Sequence, residues 1–372
     1  MELRDFGKRS GLQVAPVSIG AMRLPEDCVD AVKLIRHAID SGMRYIDTSR
    51  GYGESEFKLG KALKDGYREK VILSTKCSPW IKKVRGDEDG SADSVYRSIE
   101  ESMARLDVDY LDFYQVWNIM NRDCWETATK PGGMVDGIKR AMKDGLVKHT
   151  GFTTHDSVEN LLEYLPQADW CEILLISYNL LNLDYAPVME KAKELGIGTI
   201  VMNPVGGGKF AEESPVLHKL AESVGCESIP ELAVRYVLSN PNVDTIINGI
   251  SKLSDVDGTI KAAEKGAFSK EQMARIDAWH EEFSRENQHF CTACGYCMPC
   301  PTGINIPKIM GLVFEDKFLG LKNAAKGGYR WAGKVKADAC IMCGACEKKC
   351  TQQLEIIKEM TYAAQEYGDS DN

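Results

Sequence analysis

No apolar run in the 372 residues approaches the roughly 18 needed to span a bilayer. The opening decapeptide MELRDFGKRS carries too many charges for a signal peptide. These two absences predict a cytoplasmic protein that makes no use of a membrane. Cations are in the minority, 46 Lys and Arg against 55 Asp and Glu, so a net charge of −9 argues against nucleic acid or an anionic membrane as the main partner. Disorder-prone tracts are missing apart from the final EYGDSDN, which predicts a chain folded almost throughout. No GxGxxG follows the first strand-like run, which weighs against an open doubly wound dinucleotide fold. Cysteine is sparse before residue 290: Cys28, Cys77, Cys124, Cys171 and Cys226 are dispersed and read as buried small hydrophobes.

What is present is a regular alternation. From about residue 15 to 265, eight short apolar runs read as strands: VSIGAM, YIDTS, VILSTK, LDFYQVW, HTGFTT, EILLISYN, GTIVMNPV and DTIINGI. Amphipathic segments such as DAVKLIRHAIDSG and DSVYRSIEESMARL lie between them. Eight strand–helix repeats predict an α/β fold, a closed (β/α)8 TIM barrel, with RDFGKRSGLQVA as a hairpin capping its bottom. The domain boundary is expected near residue 284, giving a barrel over 1–283 and a small helical ferredoxin-like domain over 284–372.

That tail holds the remaining eight cysteines. Cys291, Cys294 and Cys297 stand three residues apart with Cys300-Pro301 behind them, and Cys340, Cys343 and Cys346 repeat the spacing before Cys350. A loop with thiolates at every third position can hold three corners of one cubane, and the fourth ligand must come from elsewhere. On the two-cluster ferredoxin pattern, Cys291, Cys294, Cys297 and Cys350 hold one [4Fe–4S] cluster and Cys340, Cys343, Cys346 and Cys300 the other. The first run is one residue short before its last cysteine, and Thr351 stands where proline is usual. Two zinc knuckles are the alternative, but no histidine ligand pattern accompanies the cysteines.

Barrel chemistry sits at the C-terminal ends of the strands. YIDTSRGYG places Asp47 at such an end and Tyr52 in the loop behind it, and VILSTK places Lys76 at the end of the next strand. Through DTSRGYGESE, STK, GFTTHDS and SYNLL, residues 1–283 resemble the aldo/keto reductase superfamily. With CTACGYCMPCPTGINIP following, the whole chain resembles the ferredoxin-fused branch of that superfamily. The resemblance implies an oxidoreductase acting on a small carbonyl or alcohol, with NAD(P)H as cofactor. It also implies a proton-donating Tyr52 whose pKa is lowered by Lys76, itself held by Asp47. A carbonyl that accepts hydride gains negative charge on oxygen, which a phenol beside an ammonium can neutralise.

Three departures from the family pattern stand out. Its histidine at the end of the fourth strand is replaced by Trp117, either a one-bond donor or a packing residue, and His155 after the fifth strand is the nearest substitute acid. The Ser-Asn and Gln that grip the nicotinamide read Thr153-Thr154 and Leu175 here, with Tyr178 of SYNLL beside them. The Glu-Asn pair at the adenine end reads Gly258-Thr259, leaving Ser251 and Lys252 to meet a phosphate. Gly206, Gly207 and Gly208 after the seventh strand form either a phosphate cradle or a lid without ligand.

Hydride moves two electrons and a cubane one, so a flavin or a radical-tolerant substrate would have to mediate, and no flavin fingerprint is visible. Three functions follow. One is a barrel oxidoreductase wired by two [4Fe–4S] clusters to a ferredoxin-type donor, with NAD(P)H in the simplest version. Another is a nicotinamide-independent reductase driven by flavin or by the clusters, and the third an electron-transfer protein with a silent barrel.

Overall fold

The computed structural model describes residues 1–80, 88–286, 291 and 295–368. Two compact units emerge: Met1–Gly206 with Ala233–Ala267, and Gly207–Leu232 with Phe268–Asn372.

The first unit opens with strands β1 (Arg4–Asp5) and β2 (Gln13–Val14), an antiparallel pair. Eight parallel strands then close a barrel: β3 (Val17–Gly20), β4 (Tyr45–Asp47), β5 (Ile72–Cys77), β6 (Leu111–Ile119), β7 (Val147–Thr154), β8 (Ile173–Ser177), β9 (Gly198–Met202) and β10 (Thr245–Gly249). Parallel strands covered on both faces lose the alternation of polar and apolar residues, and every residue of VSIG and ILLIS is buried. The connecting helices start at side-chain caps: the Ser91 and Ser157 hydroxyls accept from the N–H groups of Ser94 and Asn160. The predicted bottom cap is present. Phe6 packs edge-on against Tyr45 and beside Phe113, joining Val14, Ile173, Leu175, Ile200 and Ile247 in one core cluster.

Close strand packing leaves no room for a side chain at Gly151 on β7, where a Cβ would stand 2.0 Å from the Ile173 carbonyl oxygen. Gly151→Ala is therefore expected to destabilise the barrel by about 3 kcal/mol, read as a lowered denaturation midpoint. An unchanged midpoint would mean that β7 and β8 separate more easily than the register implies.

The second unit is helical, as the tail's periodicity predicts. Ile309, Val313, Tyr329, Met360 and Tyr367 form its core, drawn from the helices Ile306–Leu319, Lys322–Tyr329 and Ile356–Tyr367. Buried Asp316 accepts from the hydroxyls of Tyr362 and Tyr367 at 2.8 and 2.9 Å. Residues 207–232, expected in the barrel domain, group with these helices in the second compact unit. The Ser214 hydroxyl donates to the Leu319 carbonyl at 2.5 Å, and Lys209 pairs with Glu315. Glu212 accepts from the N–H groups of Asn323 and Ala324 at 2.8 and 2.9 Å, at the start of helix Lys322–Tyr329, where the helix dipole favours an anion. Among the described residues no helix is long and apolar enough to cross a membrane.

Candidate active site and cluster cavities

Asp47 ends β4 and Lys76 lies near the end of β5, so the parallel register brings both to the same end of neighbouring strands. Both are almost fully buried, at 2% and 1% exposure. The Lys76 ammonium donates to Asp47 Oδ2 at 2.5 Å and to the Thr48 carbonyl at 2.9 Å. Burial alone would discharge a lysine, but Asp47 and Tyr52 outweigh it and hold the Lys76 pKa above its usual value. Its neighbour Gln115 on β6 donates from Nε2 to Ser74 Oγ at 2.8 Å and to Asp47 Oδ1 at 3.3 Å. Sequence reasoning missed Gln115, because an interior amide in a strand carries no motif.

Tyr52 is placed by the turn that follows Asp47. Ser49 Oγ and the Arg50 N–H both donate to the Lys76 carbonyl, at 3.1 and 3.2 Å, and the Tyr52 N–H donates to the Ser49 carbonyl at 3.0 Å. The phenol ring then lies beneath the ammonium, 4.9 Å from Lys76 Nζ to the ring centroid. On another side Trp117 meets it edge-on, with centroids 5.6 Å apart at 78°. The expected lowering of the Tyr52 pKa needs correction. Burial, the largest influence, pushes the phenol above its ordinary value, and the pull of Lys76 does not prevail because Asp47 already balances that charge.

The other candidates fall into two sets. Thr153 Oγ1, at the end of β7, is buried without a hydrogen-bond partner among the described residues, and so is Asn118 Oδ1 at the neighbouring end of β6. A hydroxyl and an amide oxygen left unmatched there suit a carboxamide, so these residues fit a nicotinamide. Asn118 was also missed, hidden beside Trp117. Thr154 Oγ1, by contrast, donates to the Ile119 carbonyl at 2.8 Å and accepts from the Asp156 N–H. Tyr178 stacks on Tyr236 at 6.1 Å, and Leu175 is core. His155 retains open surface, but the protein atoms massed around it lower its pKa through lost solvation. Ser251 Oγ and the N–H groups of Ser251 and Lys252 all donate to Asp255 Oδ2, at 2.8, 2.9 and 3.1 Å, so a carboxylate already fills that anion nest. Gly206, Gly207 and Gly208 all adopt positive φ, and the latter two lie in the second unit.

In the second unit the thiols line two cavities. Cys300, Cys340, Cys343 and Cys346 share one with Cys297, Ile306 and Met360. Cys291, Cys297 and Cys350 share the other with Met310, Leu354 and Ile356. Cys294 lies outside the described residues. The four cysteines predicted to serve one cluster thus line one cavity, three of those predicted for the other line the second, and the surrounding side chains are mostly apolar. Burial would raise the Cys300 thiol, yet the Thr302 hydroxyl and the N–H groups of Thr302, Ile304 and Gly303 prevail and lower it. A sulfur cradled by donors in an apolar cavity suits an iron–sulfur cluster.

Residues 16–281 match the Aldo/keto reductase family, more than half of the chain. The chain belongs to the aldo/keto reductase family. Residues 290–355 of this reductase match a 4Fe-4S dicluster domain. Among curated relatives it is similar to L-galactose dehydrogenase of Arabidopsis thaliana, 29% identical over 75% of this chain and 94% of the relative. L-glyceraldehyde 3-phosphate reductase of Escherichia coli O157:H7 is 23% identical over 74% and 92%. The holo form of an aldo-keto reductase from Bacillus halodurans shares the fold, with a TM-score of 0.65 and 24% identity over 75% of this chain and 96% of that one. A thermostable aldo-keto reductase bound to the inhibitor epalrestat superposes with a TM-score of 0.62 at 22% identity, over 75% and 100%. The reductase is thus an oxidoreductase of this family with a dicluster domain, and relatives by name act on small sugars and aldehydes.

Proposed function

We propose that the reductase interconverts a small carbonyl compound and its alcohol at the barrel top, and that its two [4Fe–4S] clusters exchange electrons with a ferredoxin-type carrier. The observation that carries the first half is the buried Lys76 ammonium between Asp47 and the Tyr52 ring. A bound nicotinamide supplies hydride and an iron–sulfur cluster single electrons. Tyr52 holds the proton for the substrate oxygen, and its raised pKa keeps it protonated at neutral pH. Lys76 offers positive charge to the phenolate that proton transfer leaves, Asp47 and Gln115 hold Lys76, and Trp117 fixes the ring. Thr153 and Asn118 would grip the carboxamide; Cys291, Cys294, Cys297 and Cys350, and Cys340, Cys343, Cys346 and Cys300, would hold the clusters. With no membrane span among the described residues, we place the protein in the cytoplasm.

A nicotinamide-independent version, driven by flavin or by the clusters, is favoured by the Asp255 carboxylate in the nest that a cofactor phosphate would need. Anaerobic purification with mass determination of extracted cofactor and titration by NADPH separates the two. Saturable NADPH binding with aldehyde turnover supports the first, whereas a bound flavin and no NADPH binding supports the second. For the clusters, Cys340→Ala is expected to lower iron by about four atoms per chain and to bleach roughly half the visible absorbance. Unchanged iron would remove Cys340 from the ligand set.

A further inference from the structure

The reading of the tail as an electron module leaves open where electrons enter it, and on that reading the surface around one cavity points to an answer. Of the cysteines lining it, Cys343 is exposed, and the two residues between it and Cys340 are large, apolar and open: Ile341 is 66% and Met342 68% exposed. Met342 moreover holds φ at 50°, a left-handed conformation that a methionine adopts at some energetic expense. Exposed apolar side chains beside a redox centre are unfavourable for an isolated protein and mark a contact surface, with Met among the residues enriched there.

The charge around this loop is opposite to that of the whole. Between residues 322 and 349 the sequence holds seven cations and two anions, in a chain whose net charge is −9, and of these cations Lys322 is paired with Glu366. Lys348 and Lys349, between Glu347 and Cys350, are exposed, as are Arg330 and Lys334. The Arg330–Lys336 loop lies on the Cys300 side of the same cavity: a Cβ at Gly303 would stand 3.6 Å from Val335, and one at Gly333 3.8 Å from Asn305. Glu347, one of the two anions, is tied to the Ile357 N–H at 2.8 Å. An exposed apolar tip in a segment rich in exposed cations can steer and seat an anionic surface.

We propose that the Cys340–Cys343 loop, with Ile341 and Met342 at its tip and Arg330, Lys334, Lys348 and Lys349 around it, is the docking port for an acidic one-electron carrier protein. One electron leaves the reduced carrier and one is accepted by the cluster that Cys300, Cys340, Cys343 and Cys346 would hold; no proton or atom moves.

The test uses the full-length, anaerobically prepared protein and an acidic [2Fe–2S] ferredoxin as carrier. Carrier binding is followed by NMR titration of the oxidised carrier, and cluster reduction by stopped flow with the reduced one. The double substitution Lys348→Glu, Lys349→Glu is expected to weaken binding and slow reduction by about tenfold at low salt, a gap that closes as salt screens it. Lys334→Glu, away from the ligand loop, should act in the same direction, while Lys270→Glu should change neither quantity. Iron content and reduction by dithionite, which needs no docking, should match the unaltered protein throughout. Carrier binding and rate unaffected by Lys334→Glu and by the double substitution would overturn the proposal. So would equal slowing with dithionite, which would make these residues supports of the cluster. Because no aldehyde is turned over, failure here is separate from failure of the barrel chemistry.

Discussion

Tyr52→Phe is expected to lower turnover of a short aldehyde such as glyceraldehyde by about 100- to 10,000-fold, with iron content and fold unchanged. The substitution removes one hydroxyl from a half-buried ring whose packing, edge-on to Trp117 and beneath Lys76, the phenylalanine keeps. What is lost is the phenolic proton that Tyr52 gives to the substrate oxygen, leaving a phenolate beside the Lys76 ammonium. Since burial raises its pKa above 10.0, reduction in the unaltered protein should show no acid-form loss from Tyr52 until the pH passes that value. A variant with full activity would take the proton donor away from Tyr52 and turn attention to His155.

Lys76→Met is expected to be destabilising by about 3–5 kcal/mol, because it strands the Asp47 carboxylate at 2% exposure without its counter-charge. The sign of the pH dependence follows from the raised Lys76 pKa. The stabilisation contributed by the ammonium is complete below the reference value of 10.5 and disappears only as pH rises through the higher folded value. Adding Asp47→Asn to Lys76→Met removes the stranded charge, so the double variant should recover most of the stability, read from denaturant midpoints, but none of the activity. A double variant as unstable as the single one would mean that the pair serves packing and not charge balance.

The barrel was legible because its pattern is local: apolar runs such as VSIG and ILLIS mark parallel strands buried on both faces, and eight strand–helix repeats without a GxGxxG favour closure over an open sheet. The cysteine spacing was legible for a similar reason, since Cys340, Cys343 and Cys346 lie within seven residues of one another. Asp47, Tyr52 and Lys76 could be named from strand ends. Their electrostatic balance could not, because the Tyr52 pKa is set by how much burial survives once Asp47 has taken up the charge of Lys76, and burial is a property of the packed barrel.

Other features depend on partners distant in sequence. Gln115 joins the site only through the register that sets β6 beside β5. Asn118 becomes interesting because Thr153, 35 residues on, reaches the adjoining strand end with its own hydroxyl unmatched. Ser251 and Lys252 read as a phosphate site until the following helical turn brings Asp255 back onto their amides. Residues 207–232 read as a barrel connection, yet Glu212 and Ser214 bond to groups more than 100 residues away. The sequence by itself determined the strand–helix alternation and the cysteine runs, because each rests on short-range spacing, and it placed Asp47, Tyr52 and Lys76 at strand ends, while the proton-donor role proposed for them rests on the family resemblance. The tertiary structure alone decided which charges are balanced, which polar groups are left unmatched and which unit residues 207–232 join, because those depend on contacts that spacing does not encode.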